Sequence, residues 1–257
     1  EWWAGLALVT DHYQRGRVFL AGDSVHLFTP TGGFGFNTGI DDAANLAWKL
    51  AAVCQAWGGT KLLDTYETER RPVGVRNTTE SGKLAEQAAT LEIPMHIEAD
   101  TPQGVSDRTR FHAEVEHFRE EFASLGIQLG ARYDASPIIV RDGTLPPPDD
   151  PKTYTPSSVP GGRAPHWWIR ERESLFDLMG PGFTLLRLGP DAPQAAGLAR
   201  AAAARSIPFA TVSVEEPGIL ELYEKPLVLV RPDQHVAWRG DEPPGDAGRL
   251  LDIVTGQ

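Results

Sequence analysis

The residues best suited to chemistry lie between Gly16 and Leu50, in GRVFLAGDSVHLFTPTGGFGFNTGIDDAANLAWKL. Asp23 follows the apolar run 17–21 and one glycine, Gly22. That order describes a strand, a sharp exit and a carboxylate at the strand's carboxyl end, where open α/β sheets hold their ligands. A carboxylate so placed accepts charge-assisted hydrogen bonds from the hydroxyls of a sugar-like chain. An aspartate in an ordinary turn has the same pattern. Beyond it, Thr29-Pro30-Thr31-Gly32-Gly33-Phe34-Gly35-Phe36-Asn37 places three glycines in four positions. A planar ligand can approach such a backbone closely. A helix follows, and its free N–H groups and positive dipole end favour negative charge. A glycine-rich connection without a ligand fits this loop equally well when it is taken alone.

These residues need elements to hold them. Residues 17–21 are expected as a short buried strand bounded by glycines. A helix is expected from Asp41, with Asp41 and Asp42 as charges at its N-terminus. Ala43, Ala47, Leu50, Cys54 and Trp57 fall at alternating spacings of four and three, which makes one apolar face, and Gly58-Gly59 end it. The lone cysteine, Cys54, is placed in the core by this stripe. A second helix is expected from Asp64, with Glu67 completing a capping box and Pro72 kinking or interrupting the helix. A third, over about 107–125, carries the stripe Phe111, Val115, Phe118, Phe122 and Leu125 opposite an acidic, solvated side. Residues 131–165 are rich in proline and glycine and poor in periodicity, as in an irregular surface linker or domain boundary. After them, 183–188, 209–214, 227–230 and 235–238 are strands, 195–205 is an alanine-rich helix, and a last helix covers about 246–254. The fold class is α/β, with three parts: 1–130, the irregular 131–165, and 166–257.

Composition narrows the function. The chain has 257 residues, 41% of them hydrophobic and 23% charged, ordinary for a globular protein with a sizeable core. A net charge of −11 excludes a nucleic-acid partner, which needs a clustered positive surface. No apolar run reaches the roughly 20 residues of a membrane span. One cysteine rules out a disulfide framework or a cysteine metal site, so no metal is expected. A reducing cytoplasm fits this usage. The chain starts at Glu1 without methionine or a signal peptide, and a fragment or processed chain is expected.

The combination of motifs resembles the FAD-dependent aromatic (phenol-type) hydroxylases. GRVFLAGD, a histidine three residues past the aspartate, P-T-G-G-x-G-x-N and G-I-D-D-A-x-N-L-A-W-K-L carry the likeness. TYETERRPVGVRN (65–77), PGGRAPHWWI (160–169), FTLLRLG and VRPDQHVAWRG (230–240) are similar to later parts of the family. The likeness covers nearly the whole chain and is most specific over 16–50. It implies a partial FAD-binding domain followed by a thioredoxin-like domain. That domain lacks the C-x-x-C pair needed for dithiol chemistry, so its role is structural or in subunit assembly.

The resemblance further implies that Asp23 bonds the ribityl chain of FAD. Pro30 lies beside the isoalloxazine, with its carbonyl near the substrate pocket, and the Gly33 loop with the amides of Gly35, Phe36 and Asn37 meets the pyrimidine edge. His26 matches a family histidine, held by local hydrogen bonds or taking part in the chemistry. Arg70 and Arg71 match a family pair and are expected as structural ion-pair partners. Trp2 and Trp3 are core or pocket-wall aromatics. Ser24-Val25 stands where small alanines are frequent and Thr29 where a second proline is, without loss of a backbone contact. No catalytic base is identified.

FAD's pyrophosphate needs a strand and G-x-G-x-x-G opening a helix, and this chain does not complete that pattern. Flavin binding by the chain alone is expected to be weak or absent unless an N-terminal companion chain supplies the rest. The expected activity is NADPH- or NADH- and O₂-dependent hydroxylation of a small phenolic or polycyclic aromatic substrate by a homo-oligomer. Two alternatives remain: a non-catalytic thioredoxin-like assembly module, and a dinucleotide-binding oxidoreductase without oxygen chemistry.

Overall fold

The computed structural model describes residues 5–116 and 123–257. Trp2, Trp3, Phe118 and Phe122 lie outside these residues. In the first part, β1 (Leu8–Val9), β2 (Gln14–Arg15), β3 (Val18–Phe19) and β4 (His26–Leu27) form two short antiparallel pairs, β1 with β4 and β2 with β3. The strand expected over 17–21 is therefore two residues long and not buried, with Val18 63% exposed. Its only described strand partner is β2, and while Phe19 packs edge-on against Tyr66 of the second long helix, Val18 points away from any covering layer.

Two long helices follow, α1 (Phe34–Cys54) and α2 (Lys61–Ala89). α1 starts seven residues before Asp41. Gly35, Phe36 and Asn37 thus form its first turn, and Asp41 and Asp42 sit inside the helix rather than at its end. The apolar stripe predicted for its core is not what α1 buries: Ala43, Ala47 and Cys54 are exposed, while Thr38, Asp42, Asn45, Trp48 and Lys49 are buried. Polar groups win that face because α2 and the second part of the chain offer each of them a charged or hydrogen-bonding partner. Leu50, Val53 and Cys54 instead line an open groove of about 890 Å³ with Val18, Phe19 and Leu63. The helix stops where Ala56 takes a left-handed φ of 61° and the amides of Trp57 and Gly58 turn back to Ala52.

α2 begins at Lys61 and runs through Pro72 without a break. The capping box at Asp64 does not form, because Glu67 accepts hydrogen bonds from the amides of Tyr13 (2.8 Å) and Gln14 (3.2 Å) instead. α3 (Pro102–Glu116) buries only Gly104 and Asp107. Val115 of its predicted stripe is 37% exposed, so this helix is less packed than its periodicity suggests. A short α4 (Leu125–Leu129) ends this part.

Residues 131–165 carry no regular element, as expected, but they do not simply cover the surface. Tyr133, Ser136, Ile138, Ile139, Ser158 and Val159 are buried. β5 (Trp168–Arg170) and β6 (Glu173–Ser174) form a small hairpin. The main sheet then forms from β7 (Phe183–Leu188), β8 (Phe209–Val214), β9 (Leu227–Val230) and β10 (Val236–Gly240), in the order β10-β9-β7-β8. β7 and β8 are parallel, joined through α5 (Ala196–Ala204); α6 (Ile219–Tyr223) leads to the antiparallel β9–β10 hairpin, and α7 (Ala247–Val254) closes the chain. Asp246 caps α7 through the Arg249 amide. This is the thioredoxin-like order.

Side-chain alternation divides the sheet's core in two. Leu186, Leu188, Val228 and Val230 meet Ile219 and Tyr223 on one face. Phe183, Leu185, Leu227 and Leu229 meet α5 and α7 on the other, and the same cluster takes in Trp48, Ala52, Trp57 and Leu62 from the helical part. The hydrophobic core is thus continuous across the two parts. Each such Leu or Phe contributes about 1.5–3 kcal/mol by leaving water, so the sheet and the α1–α2 pair stabilise one another. Among the described residues no helix is long and apolar enough to cross a membrane.

Candidate functional site

Asp23 lies in a one-turn 3₁₀ segment, Gly22–Ser24, between β3 and β4. Gly22 enters it with φ +62°, the left-handed region that favours glycine. The turn lies against α1 so closely that a Cβ on Gly39 would stand 3.2 Å from the Gly22 Cα. Asp23 itself is exposed. A second 3₁₀ turn, Thr31–Gly33, leads from the exposed Pro30 into α1. Gly32 and Gly33 take φ of 81° and 63°, and a Cβ on Gly33 would meet nothing within 4 Å. The loop is therefore open on one side and shaped by glycine.

No side chain caps the N-terminus of α1. By helix geometry its first amides, including those of Gly35 and Phe36, have no acceptor within the helix. The Asn37 side chain donates back to the Gly33 carbonyl at 3.0 Å. Phe34 is buried against Leu84 and Ile127, whereas Phe36 is 79% exposed. Gly33, Gly35, Phe36 and Asn37 lie on the Thr31–Gly33 turn and the first turn of α1, with Pro30 just before them, while Asp23 lies on the neighbouring turn that meets α1 at Gly39. Beside the Thr31–Gly33 turn lies a cavity of about 340 Å³, lined among others by Gly32, Phe34, Asn37, Asp41, Asn77 and Gln128.

Behind the turn stands a buried polar cluster that sequence reasoning did not assemble. The fully buried Asp42 accepts from the Gly22 amide (3.1 Å) and the Arg70 Nε (2.8 Å), and its Oδ2 lies 2.7 Å from His26 Nε2. Burial pushes the Asp42 carboxyl up, but the His26 hydrogen bond and the Arg70 guanidinium outweigh it and hold it below its ordinary value. Arg70 also donates to the Thr38 carbonyl and the Tyr133 hydroxyl. The expectation of an ion pair is met for Arg70. Arg71 instead donates to the Thr10 carbonyl.

A second cluster joins the two parts of the chain. Glu69 on α2 receives Arg231 through both nitrogens (2.7 and 2.8 Å), Lys49 (2.6 Å), Asn45 (2.7 Å) and Ser136 (2.6 Å). Asp233, in the turn between β9 and β10, accepts from Arg231, Asn45 and the Trp48 indole. Burial lowers the Lys49 ammonium to about 8 despite Glu69 beside it. Burial would raise Glu69, yet Arg231 and Lys49 keep its carboxylate far below the usual range. The sequence signal was available: Asp42, Asn45 and Lys49 repeat at helical spacing, a polar stripe parallel to the apolar one. Among the described residues no group of three or more His, Cys, Asp or Glu is arranged to hold a metal.

A carboxylate turn, a glycine loop and an uncapped helix end thus lie on adjoining backbone. Residues 2–81 match the family model of an FAD binding domain, and 157–256 that of the aromatic-ring hydroxylase C-terminal domain. An FAD-dependent monooxygenase of Emericella nidulans is 37% identical over 243 residues, covering 88% of this chain and 38% of that protein. A putative polyketide hydroxylase of Streptomyces halstedii is 37% identical over 263 residues, covering 94% of this chain and 44% of that protein. Among solved structures, the rebeccamycin biosynthetic enzyme RebC with reduced flavin superposes with a TM-score of 0.86 at 42% identity, over 96% of this chain and 46% of that one. The chain belongs to the FAD-dependent aromatic-ring hydroxylases. It spans less than half the length of these relatives.

Proposed function

We propose that this chain forms the isoalloxazine-facing part of an FAD-dependent monooxygenase that hydroxylates a phenolic or polycyclic aromatic substrate with NADPH or NADH and O₂. The observation that supports this reading most is the contact between the Gly22–Ser24 turn and α1 at Gly39. In this reading the exposed carboxylate of the turn and the uncapped first amides of the same helix serve one ligand, with a polyhydroxyl chain at one end and a flat acceptor ring at the other.

In this reading Asp23 accepts hydrogen bonds from the ribityl hydroxyls. The backbone of Gly33, Gly35, Phe36 and Asn37 receives the pyrimidine edge and favours the negative charge it carries when reduced. Pro30 stands at the boundary with the substrate. Bound FAD supplies the redox and oxygen chemistry. The chain's own residues orient it and exclude water from one side. The pyrophosphate grip, and with it tight binding, comes from a companion segment bearing a dinucleotide motif that these 257 residues lack. The thioredoxin-like part, 166–257, is structural and supports a homo-oligomer. The irregular 131–165 joins it to the flavin-facing part, 1–130, in a cytoplasmic protein.

The deciding experiment is a visible absorption spectrum with an intact-mass measurement on the same purified sample, followed by NAD(P)H consumption with phenolic substrates. Flavin bands accompanied by a second polypeptide, with substrate-stimulated oxidation, are expected. A sample that stays colourless when FAD and the companion segment are both supplied would overturn the reading and leave an assembly module. Flavin bands with this chain alone would refute the need for a companion.

A further inference from the structure

We infer that Asp42 is a positioning residue for the flavin site, acting through the Gly22 amide to hold the turn that presents Asp23. This rests on the flavin reading above. Asp42 is wholly buried and never faces the open loop, so it does not touch a ligand. Its Oδ2 takes the amide of Gly22, the residue just before Asp23, at 3.1 Å. Its carboxylate is fixed in turn from two other directions, by His26 on β4 and Arg70 on α2.

Three properties make this a positioning device rather than incidental packing. Gly22 is in the left-handed region, so its backbone conformation needs an external restraint to remain the single populated one. The turn has no side-chain cap of the usual kind: Ser24 is bonded to Ala21 locally, which closes the turn on itself but does not tie it to the helix. The Asp42 bond is what ties the turn across to α1, the helix whose first amides form the other half of the site. His26 Nδ1 is buried without a hydrogen-bond partner. The arrangement therefore calls for the Nε2–H tautomer donating to Asp42, with the unpartnered nitrogen as an acceptor; an orphaned buried N–H would cost more. His26 is thereby assigned as a support of Asp42 and not as a group acting on substrate.

The test is a double-mutant cycle on FAD affinity in the complete flavoprotein, read by quenching of flavin fluorescence, with Asp23→Ala, Asp42→Asn, Asp42→Ala and the Asp23/Asp42 doubles. Asp23→Ala is expected to weaken FAD about tenfold, the scale of one hydrogen bond to a charged group. Asp42→Ala should weaken it similarly, Asp42→Asn less because one acceptor remains, and each double should be no weaker than Asp23→Ala alone. Fully additive effects, or an unchanged dissociation constant in Asp42→Ala, would overturn the inference. Asp23→Ala without effect would overturn the flavin reading itself, a separate failure. Amide exchange of Gly22 in the unsubstituted apoprotein needs no variant: protection is expected, and exchange as fast as an unstructured amide would refute the bond to Asp42.

Discussion

Replacing Glu69 by glutamine tests whether the two parts of the chain are held by a buried charge cluster. Glu69 is 1% exposed and its two oxygens receive five donors, two from Arg231. With Glu69 and Asp233 ionised, the positive charges of Lys49 and Arg231 are balanced in the interior. The variant keeps the shape of the side chain but leaves two buried cations facing one carboxylate. Removing one partner of a buried pair costs about 3–5 kcal/mol. For a chain of this size each kcal/mol moves the melting temperature by roughly 2–4 °C, so a drop of roughly 6–20 °C is expected. Lys49→Met should cost less, because Arg231 still engages both Glu69 oxygens. Thermal unfolding followed by circular dichroism, with urea titrations of the same variants, measures both. A Glu69→Gln variant within 0.5 kcal/mol of its parent, the range of an ordinary surface change, would refute the view that this cluster binds the sheet to the helices.

Two other outcomes follow from burial and exposure. Burial lowers the His235 imidazole from 6.5 to about 4, so between those values the unfolded chain takes up a proton that the native state does not. Stability is therefore full above about pH 6.5 and falls as the pH drops toward 4. Urea unfolding at pH 6.5 and pH 5 should show a loss of about 1.6 kcal/mol, because the full 1.36 kcal/mol per pH unit applies only between the two values and the unfolded imidazole is already half protonated at pH 6.5. His235→Phe, which keeps a ring against Tyr133, should flatten that slope, and an equal slope in the variant would assign the effect elsewhere. Cys54 is exposed at the rim of the apolar groove. A thiol reagent should modify it stoichiometrically in native buffer, and reaction only after denaturant would contradict the outward-facing stripe of α1.

The sequence carried the elements whose signal is local. β7, β8 and β9 begin and end where the apolar runs do, and Asp246 caps α7 where an aspartate precedes the helical pattern. The glycine loop was equally legible, because φ values such as those of Gly32 and Gly33 are demands a backbone makes on residue type. The family likeness rested on the same stretch.

Which face of α1 is buried could not be read locally, since two stripes compete on it. The apolar stripe with Leu50 and Cys54 has the stronger hydrophobic signal. The polar one with Asp42, Asn45 and Lys49 wins because Glu69, Arg70, Arg231 and Asp233 converge on it, the last pair from more than 180 residues away. The diversion of Glu67 to the Tyr13 and Gln14 amides, more than 50 residues away, has the same kind of origin. Sequence alone thus determined the strands β7, β8 and β9, the Asp246 cap and the glycine-shaped loop, each set by neighbours along the chain. Tertiary structure decided the partner of every buried charge, because a buried charge is tolerated only where distant groups supply opposite charge and hydrogen bonds.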